Sequence, residues 1–511
     1  MNLPIANPKT FLKSIYASDW GIPIVFACLG LVGTLNHVMW RDEMNVWLIA
    51  RDSHSWGELL SNLHYDRGHP ALWHLLVAAT ERFFDTPVAM QILHLVIAIG
   101  SVCVVWCYSP FPRWAKTLFI FSYLPFYEFL LLSRNYGIGM LLLFAACAAF
   151  PARDRRCWPI AIFLALAANT NTYALLVAVP LSFTLILECL IDPEHRRAYF
   201  AKAKAYDWAI SLIILAVGYY IAYSFILPPA DAAAKNAVGG WFLHFDLRHL
   251  LRSIGRLFGG YFLIVPAHHR WIDLIVCDSI GLAVAGLTVL KLLRKPFPLF
   301  FYTTASGLLL SFTYFKFLGR GLRHYGHFYL ILIMALWLAS YYHPVRRLQP
   351  VEDLAQRWHQ RCWVVILCIQ LLGGIGEYVA DFIQPLSASR AAAQYIRQEN
   401  LQDEFIVAYR DANMAPLSGY LGRQFYYAET QAMGSYTLFF KGNRVEVEPE
   451  EMLRQTRQLL DSDPALAKIL LISHKELPAE PLNLTLTPIT RFKKAQEVSE
   501  RYYLYWAEPK N

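Results

Sequence analysis

The feature that most restricts this chain is a succession of apolar runs, each near the length of a bilayer crossing, between residues 21 and 379. About 20 apolar residues in a helix cross the hydrocarbon core of a membrane. On that rule the runs at 21–40, 87–107, 117–133, 137–150, 159–168, 174–191, 207–226, 272–292, 297–315, 327–342 and 361–379 predict about eleven transmembrane helices. The shorter pair, 137–150 and 159–168, needs neighbouring apolar residues or a tilt. Residues 70–84 are too few to span and read as an interfacial or re-entrant helix.

Charge divides the chain in two. Residues 1–385 carry 53 charged side chains, about 14%, whereas residues 386–511 carry 31, about 25%, the usual soluble proportion. The expected organisation is a membrane module over 1–385 and a separate domain over 386–511. In the second part residues 387–399 and 449–462 read as helices, and 405–409, 468–473 and 502–506 as strands, giving a small α/β domain. The fold class expected is therefore an all-α polytopic membrane protein with a C-terminal α/β domain. This composition excludes a disordered chain and a nucleic-acid-binding one. The nine cysteines all lie in or beside apolar runs and show neither a disulfide framework nor a zinc pattern.

Basic residues choose the orientation. Arg113 and Lys116, Arg153 to Arg156, Arg196 and Arg197, Lys291 to Lys295, and Arg346 to Arg361 fall in alternate short loops, with Lys9 and Lys13 on the same side. The positive-inside rule makes that side cytoplasmic. An odd number of spans then sets the N-terminus in the cytoplasm and the C-terminal domain outside it. The expected location is the plasma membrane, the inner membrane of a bacterium.

The other face collects the residues suited to chemistry. Arg41-Asp42-Glu43 closes the first apolar run, and Tyr65-Asp66-Arg67-Gly68-His69-Pro70-Ala71-Leu72-Trp73 follows. Ser133-Arg134-Asn135-Tyr136 stands between two runs, Asn169-Thr170-Asn171-Thr172-Tyr173 breaks another, and Lys316 precedes Arg320-Gly321-Leu322-Arg323-His324-Tyr325. An ionisable residue between two spans is costly without a partner, which singles out Arg134. Arg320 and Arg323 beside a span also suit simple anchoring at lipid headgroups. Asp66, His69 and His74 contain metal-ligating types, at a spacing that does not identify a metal site.

In order and spacing these elements resemble the polyprenol-dependent GT-C membrane glycosyltransferases, the group that includes protein mannosyltransferases and aminoarabinose transferases. Members carry an acidic pair after the first span, a His/Pro-rich segment and an Arg-x-Tyr element. Two departures stand out: Ala71 replaces a second proline, and Gln91 occupies a region where relatives have an arginine suited to phosphate. The resemblance implies transfer of a sugar from a polyprenyl-phosphate donor to an extracytoplasmic acceptor, whether glycolipid, polysaccharide or protein. Asp42 would be the base, and Glu43 would orient the acceptor or bind a metal, a divalent cation being the one cofactor candidate. The leaving phosphate calls for cations: Arg134, Lys316, Arg320 and Arg323, with His324 assisting. Asp66, His69, Tyr136 and Tyr325 complete the expected substrate-binding set. The competing reading is a transporter or flippase of a lipid-linked or polysaccharide intermediate, although no internal repeat of the kind common in transporters is found.

Overall fold

The computed structural model describes residues 20–66, 68–202, 206–227, 229, 240–266, 270–319, 321–344, 349–464, 466–477 and 484–510. Lys9, Lys13, Arg67, Arg320, Arg346 and Arg347 lie outside the described residues.

The first apolar run forms α1 (Gly21–Asn36), and the chain then turns by 81° into α2 (Arg41–Asp52). So α2 runs nearly perpendicular to the span instead of prolonging it. Helices α3 (Trp56–Tyr65) and α4 (Leu72–Glu81) follow, both too short to cross. The 70–84 segment is thus a short helix, as its length required.

Next come α5 (Val88–Tyr108) and α6 (Arg113–Ile120). The expected span over 117–133 is not a continuous helix. Its α-helical part ends at Ile120, and a single π-type turn, Leu124–Glu128, follows with Pro125 near its start. Proline lacks the N–H that would continue an α-helix and clashes with the preceding turn. Irregular backbone within a membrane protein must be shielded by protein, and residues 122–140 are buried without exception.

The bundle continues with α7 (Asn135–Ala149), α8 (Trp158–Ala168), α9 (Thr172–Ile191), α10 (Pro193–Lys202) and α11 (Tyr206–Ile226). It closes with α12 (Leu247–Phe262), α13 (Trp271–Leu292), α14 (Pro296–Phe315), the single turn α15 (Leu322–Tyr325), α16 (His327–Ala339) and α17 (Gln349–Ile383). Among the described residues six helices are long and apolar enough to cross a membrane, and a seventh span arises if α1 and α2 are counted together. The protein is a multi-pass membrane protein.

Helix α16 is apolar all round, and every residue from His327 to Ala335 is buried, the pattern of a helix enclosed by others. By contrast α11 and α13 turn apolar side chains outward, Tyr220 and Ile272 being about three-quarters exposed (73% and 75%), as a lipid-facing surface requires. All nine cysteines are free thiols.

The C-terminal part holds α18 (Ser389–Gln398), β1 (Ile406–Tyr409), α19 (Asp411–Leu421), β2 (Phe425–Tyr427), β3 (Ala432–Gly434), α20 (Pro449–Ser462), β4 (Ile469–Ser473), β5 (Leu484–Phe492) and β6 (Tyr502–Pro509). The strands form one sheet in the order β3-β2-β1-β4-β6-β5. β1 runs parallel to both β2 and β4, with Ala408 opposite Ile472, and the other pairings are antiparallel. The two innermost strands, β1 and β4, are buried throughout, which accounts for their unbroken apolar sequences.

This domain packs on α2. Gly419 of α19 faces Met44 so closely that a Cβ at position 419 would collide with the methionine side chain. Thr437 N–H donates to Asn45 Oδ1 at 2.8 Å, and Asn45 Nδ2 returns a bond to Thr437 O at 3.1 Å. The sheet domain thereby holds the helix that begins with Arg41-Asp42-Glu43.

Candidate active site

The site forms where four chain segments meet: the start of α2, the loop after the π-type turn, the α3–α4 connection, and α15. Asp42 is in the first turn of α2, where the helix dipole favours a carboxylate. One of its oxygens, Oδ2, pairs with Arg134 and lies 3.6 Å from Arg323 Nη2, while Oδ1 is 3.8 Å from Arg41 Nε. Burial opposes ionisation of Asp42, but Arg134, then Arg323 and Arg41, override it and hold the carboxyl far below its ordinary range. The Asp42 side chain keeps 29% of its exposure, so the cluster opens to the outside.

Arg134 and Arg323 are 189 positions apart in sequence, yet they converge on one carboxylate oxygen. Arg323 also lies 3.4 Å from Glu128 Oε1, and Glu128 accepts from Tyr123 Oη at 2.7 Å. The Trp40 ring forms a wall, with the guanidinium carbons of Arg323 and Arg41 5.3 and 5.5 Å from its centroid. Three guanidiniums thus face two carboxylates.

Glu43 stands apart from the acceptor and metal roles expected of it. It is fully buried and its oxygens are engaged by backbone and imidazole: Oε1 accepts from Ser133 N–H at 2.6 Å, and Oε2 accepts from Trp40 N–H at 3.2 Å and meets His37 Nε2 at 3.0 Å. The side chain closes the N-terminus of α2 and ties down the irregular loop that carries Arg134. On α5, His94 lies 3.1 Å from both Leu130 O and Arg134 O and can donate to one of these loop carbonyls. These contacts supply the partners that non-helical backbone needs in an apolar surrounding.

Asp66 and His69 flank the cluster. Asp66 is buried beside His74, with 3.5 Å between Oδ2 and Nε2, and His69 Nδ1 lies 3.4 Å from Asn135 Nδ2. Burial holds His69 neutral, down to about 4, and of the charges around it Asp66 opposes this while Arg134 reinforces it. Tyr136 and His324 stand on the inner side, their rings 6.0 Å apart, and His324 stacks on Tyr173 at 5.1 Å. Burial and the neighbouring arginines, Arg323 first, push His324 well below the ordinary histidine range. It is a neutral polar group rather than a fourth cation.

Two of the expected residues also have partners outside the cluster. Lys316 faces the Trp241 ring at 5.5 Å, and Tyr325 is buried against α12, where Arg256 lies 5.3 Å from its ring. The π-type turn and α1 end supply residues that the sequence reading passed over: Glu128, Trp40, His37 and, on α17, Asp381. Glu128 had a signal, since a carboxylate inside an apolar run is costly unless paired. Among the described residues no group of three or more His, Cys, Asp or Glu side chains is arranged to hold a metal ion.

No family model matches the sequence, and no curated protein matches it. Solved structures do. ArnT from Cupriavidus metallidurans, determined bound to undecaprenyl phosphate, aligns with a TM-score of 0.50 at 10% identity over 96% of this chain and 98% of its own. The arabinofuranosyltransferase AftD from Mycobacteria aligns with a TM-score of 0.40 at 11% identity over 97% of this chain and 40% of its own. ArnT has the GT-C fold, and its likeness along nearly the whole of both chains shows that this protein shares it.

Proposed function

We propose that this protein is an integral membrane glycosyltransferase that moves a sugar from a polyprenyl-phosphate donor to an acceptor on the extracytoplasmic face. The observation that carries the reading is the convergence of Arg134, Arg323 and Arg41 on Asp42, at a partly open site in a GT-C fold. ArnT, which shares the fold, was solved with undecaprenyl phosphate.

The chemistry follows from the charges. The bond between the sugar's anomeric carbon and the phosphate oxygen breaks, and its electrons leave on the phosphate. Arg134 and Arg323 accept that anion, arginine forks matching phosphate oxygens in pairs. The acceptor hydroxyl or amine attacks the anomeric carbon and gives its proton to Asp42. Attack opposite the phosphate inverts the anomeric centre. Phosphate on the arginines relieves Asp42 of the charges that keep its basicity low, so donor binding and base strength rise together. Asp66, His69, Tyr136 and His324, beside the arginine cluster, bind substrate in this reading; Lys316, Arg320 and Tyr325 complete the proposed set on the strength of the sequence.

The proposed division is a catalytic membrane module over 1–385 and a sheet domain over 386–511. The N-terminus is assigned to the cytoplasm and the sheet domain to the opposite side, in the plasma membrane. Incubation of the purified chain with radiolabelled polyprenyl-phosphate sugars and envelope acceptors tests the reading. Transfer of label by the wild type, lost in Asp42→Asn, is expected. Movement of labelled lipid across vesicles without transfer would overturn it in favour of a flippase.

A further inference from the structure

Behind the arginine cluster lies a second set of ionisable groups that the transfer chemistry does not touch. His37, at the end of α1, is fully buried between two carboxylates from distant parts of the chain. Its Nε2 is 3.0 Å from Glu43 Oε2 and its Nδ1 is 3.0 Å from Asp381 Oδ2, on α17. Asp381 is 1% exposed. Ionised carboxylates only accept hydrogen bonds, and a neutral imidazole donates from one nitrogen alone. An imidazolium that donates from both nitrogens satisfies the two contacts at once. Its charge then offsets two buried carboxylates that would otherwise be uncompensated.

The geometry gives this arrangement a direction. Glu43 Oε1 accepts from Ser133 N–H at 2.6 Å. Ser133 precedes Arg134, and Glu43 follows Asp42. The two neighbouring acids of α2 therefore grip one neighbouring pair in the loop, Glu43 by the backbone of Ser133 and Asp42 by the side chain of Arg134. His37 is itself fixed: Gln91 Nε2 donates to His37 O at 3.4 Å, and Arg390 of α18 donates to the same oxygen at 2.6 Å.

We propose that His37 and Asp381 are positioning residues of the transfer reaction: they lock Glu43 as the clamp that holds the Ser133–Arg134 loop on α2 and so set where the Arg134 guanidinium meets the donor phosphate. The proposal rests on the glycosyltransferase reading above. It also gives Gln91 a role, as the support of the His37 backbone.

A double-mutant cycle tests it, with undecaprenyl phosphate as the probe and the full chain in nanodiscs. His37→Gln should weaken binding of that lipid about tenfold, the size of coupling usual for residues in one hydrogen-bonded network. In an Arg134→Ala background the same substitution should cause no further loss. Additive losses would overturn the proposal, because a residue that supports the fold at large does not act through one arginine. Hydrogen–deuterium exchange gives a second readout, independent of the ligand. Residues 130–137 should exchange faster in His37→Gln and in Asp381→Asn than in the wild type and in Arg454→Ala, a control at an exposed surface ion pair, and unchanged exchange would overturn the clamp. If Arg134→Ala alone leaves lipid affinity intact, the phosphate assignment falls, and the exchange measurement decides the clamp by itself.

Discussion

Arg134 precedes α7 and Arg153 follows it, in the short 3-10 helix Phe150–Asp154; each arginine is in an ion pair, and the two pairs are built to opposite designs. At the far end Arg153 donates from Nε and Nη2 to both oxygens of Glu188, at 3.0 and 3.2 Å. Tyr342 Oη donates to the same carboxylate at 2.8 Å, and the guanidinium lies 4.6 and 4.8 Å from the ring centroids of Phe150 and Tyr342. The forks of Arg153 and Glu188 match, Asp154 Oδ1 lies 4.0 Å from Arg153 Nη1, and aromatic rings cover the pair. At the near end Arg134 shares Asp42 with Arg323 and Arg41, and Arg323 Nε is buried without a hydrogen-bond partner. The first pair is complete in itself and ties α7 to α9. The second has donors to spare, so an anion of higher valence than a carboxylate fits it better. Burial alone does not separate a structural ion pair from a binding site; the balance of donors and acceptors does.

The contrast is sharpest for Asp42→Asn. Transfer should fall by about 10²–10⁴, the usual cost of losing a general base. Affinity for undecaprenyl phosphate should be kept or should rise, because asparagine no longer competes for the arginines. Weaker lipid binding by a folded Asp42→Asn protein would mean that the carboxylate organises the cluster and does not stand in for phosphate.

Arg153→Ala should strand Glu188 and lower stability by about 3–5 kcal/mol, read from denaturant unfolding in detergent, with lipid-phosphate affinity unchanged in whatever protein remains folded. A loss of affinity as large as that of Arg134→Ala would erase the distinction between the two ends. Arg134→Ala and Arg323→Ala should each cost about 1.5–3 kcal/mol of phosphate binding. That is roughly 10- to 100-fold in affinity, measured by titration with undecaprenyl phosphate. Lysine at either position should restore only part, since it lacks the paired fork.

A further expected effect concerns the sheet domain's hold on α2. Glu500 is fully buried, accepts from Arg41 N–H at 3.3 Å, and is pushed by burial from its ordinary 4.5 up to about 8. The folded chain thus binds this proton more tightly than the unfolded chain does. Stability must fall as pH rises from about 4.5 to about 8 and level off above that. Glu500→Gln should leave stability unchanged near pH 4 and raise it increasingly toward pH 8. Melting curves across that range provide the measurement, and a flat difference would show that Glu500 is ionised in place.

Much of this was legible before the fold was known, because the signals are local. Apolar length marked α5, α9, α11 and α13, and the uninterrupted Ile469 to Ser473 marked an inner strand. Asp42, Arg134 and Arg323 stood out as charges at the ends of apolar runs, where a charge must find water, a headgroup or a partner. The run at 117–133 misled, since Pro125 breaks it and hydropathy does not register a missing N–H. In the C-terminal domain α19 was concealed by its internal Pro416, and β5 by its mixture of threonines and Pro488.

What the sequence by itself determined is the membrane class, the separate sheet domain and the set of charges gathered at helix ends, because transfer of apolar side chains out of water depends on residue type and local spacing. What only the tertiary structure decided is the division of labour among those charges. Asp42 and Glu43 are adjacent acids of the same helix, yet one opens toward solvent among three arginines and the other is sealed on His37 and a backbone N–H. Asp381 meets His37 across 344 positions of sequence. Hydrogen bonding and desolvation act over a few ångströms, so a carboxylate's role is set by which distant segments fold against it.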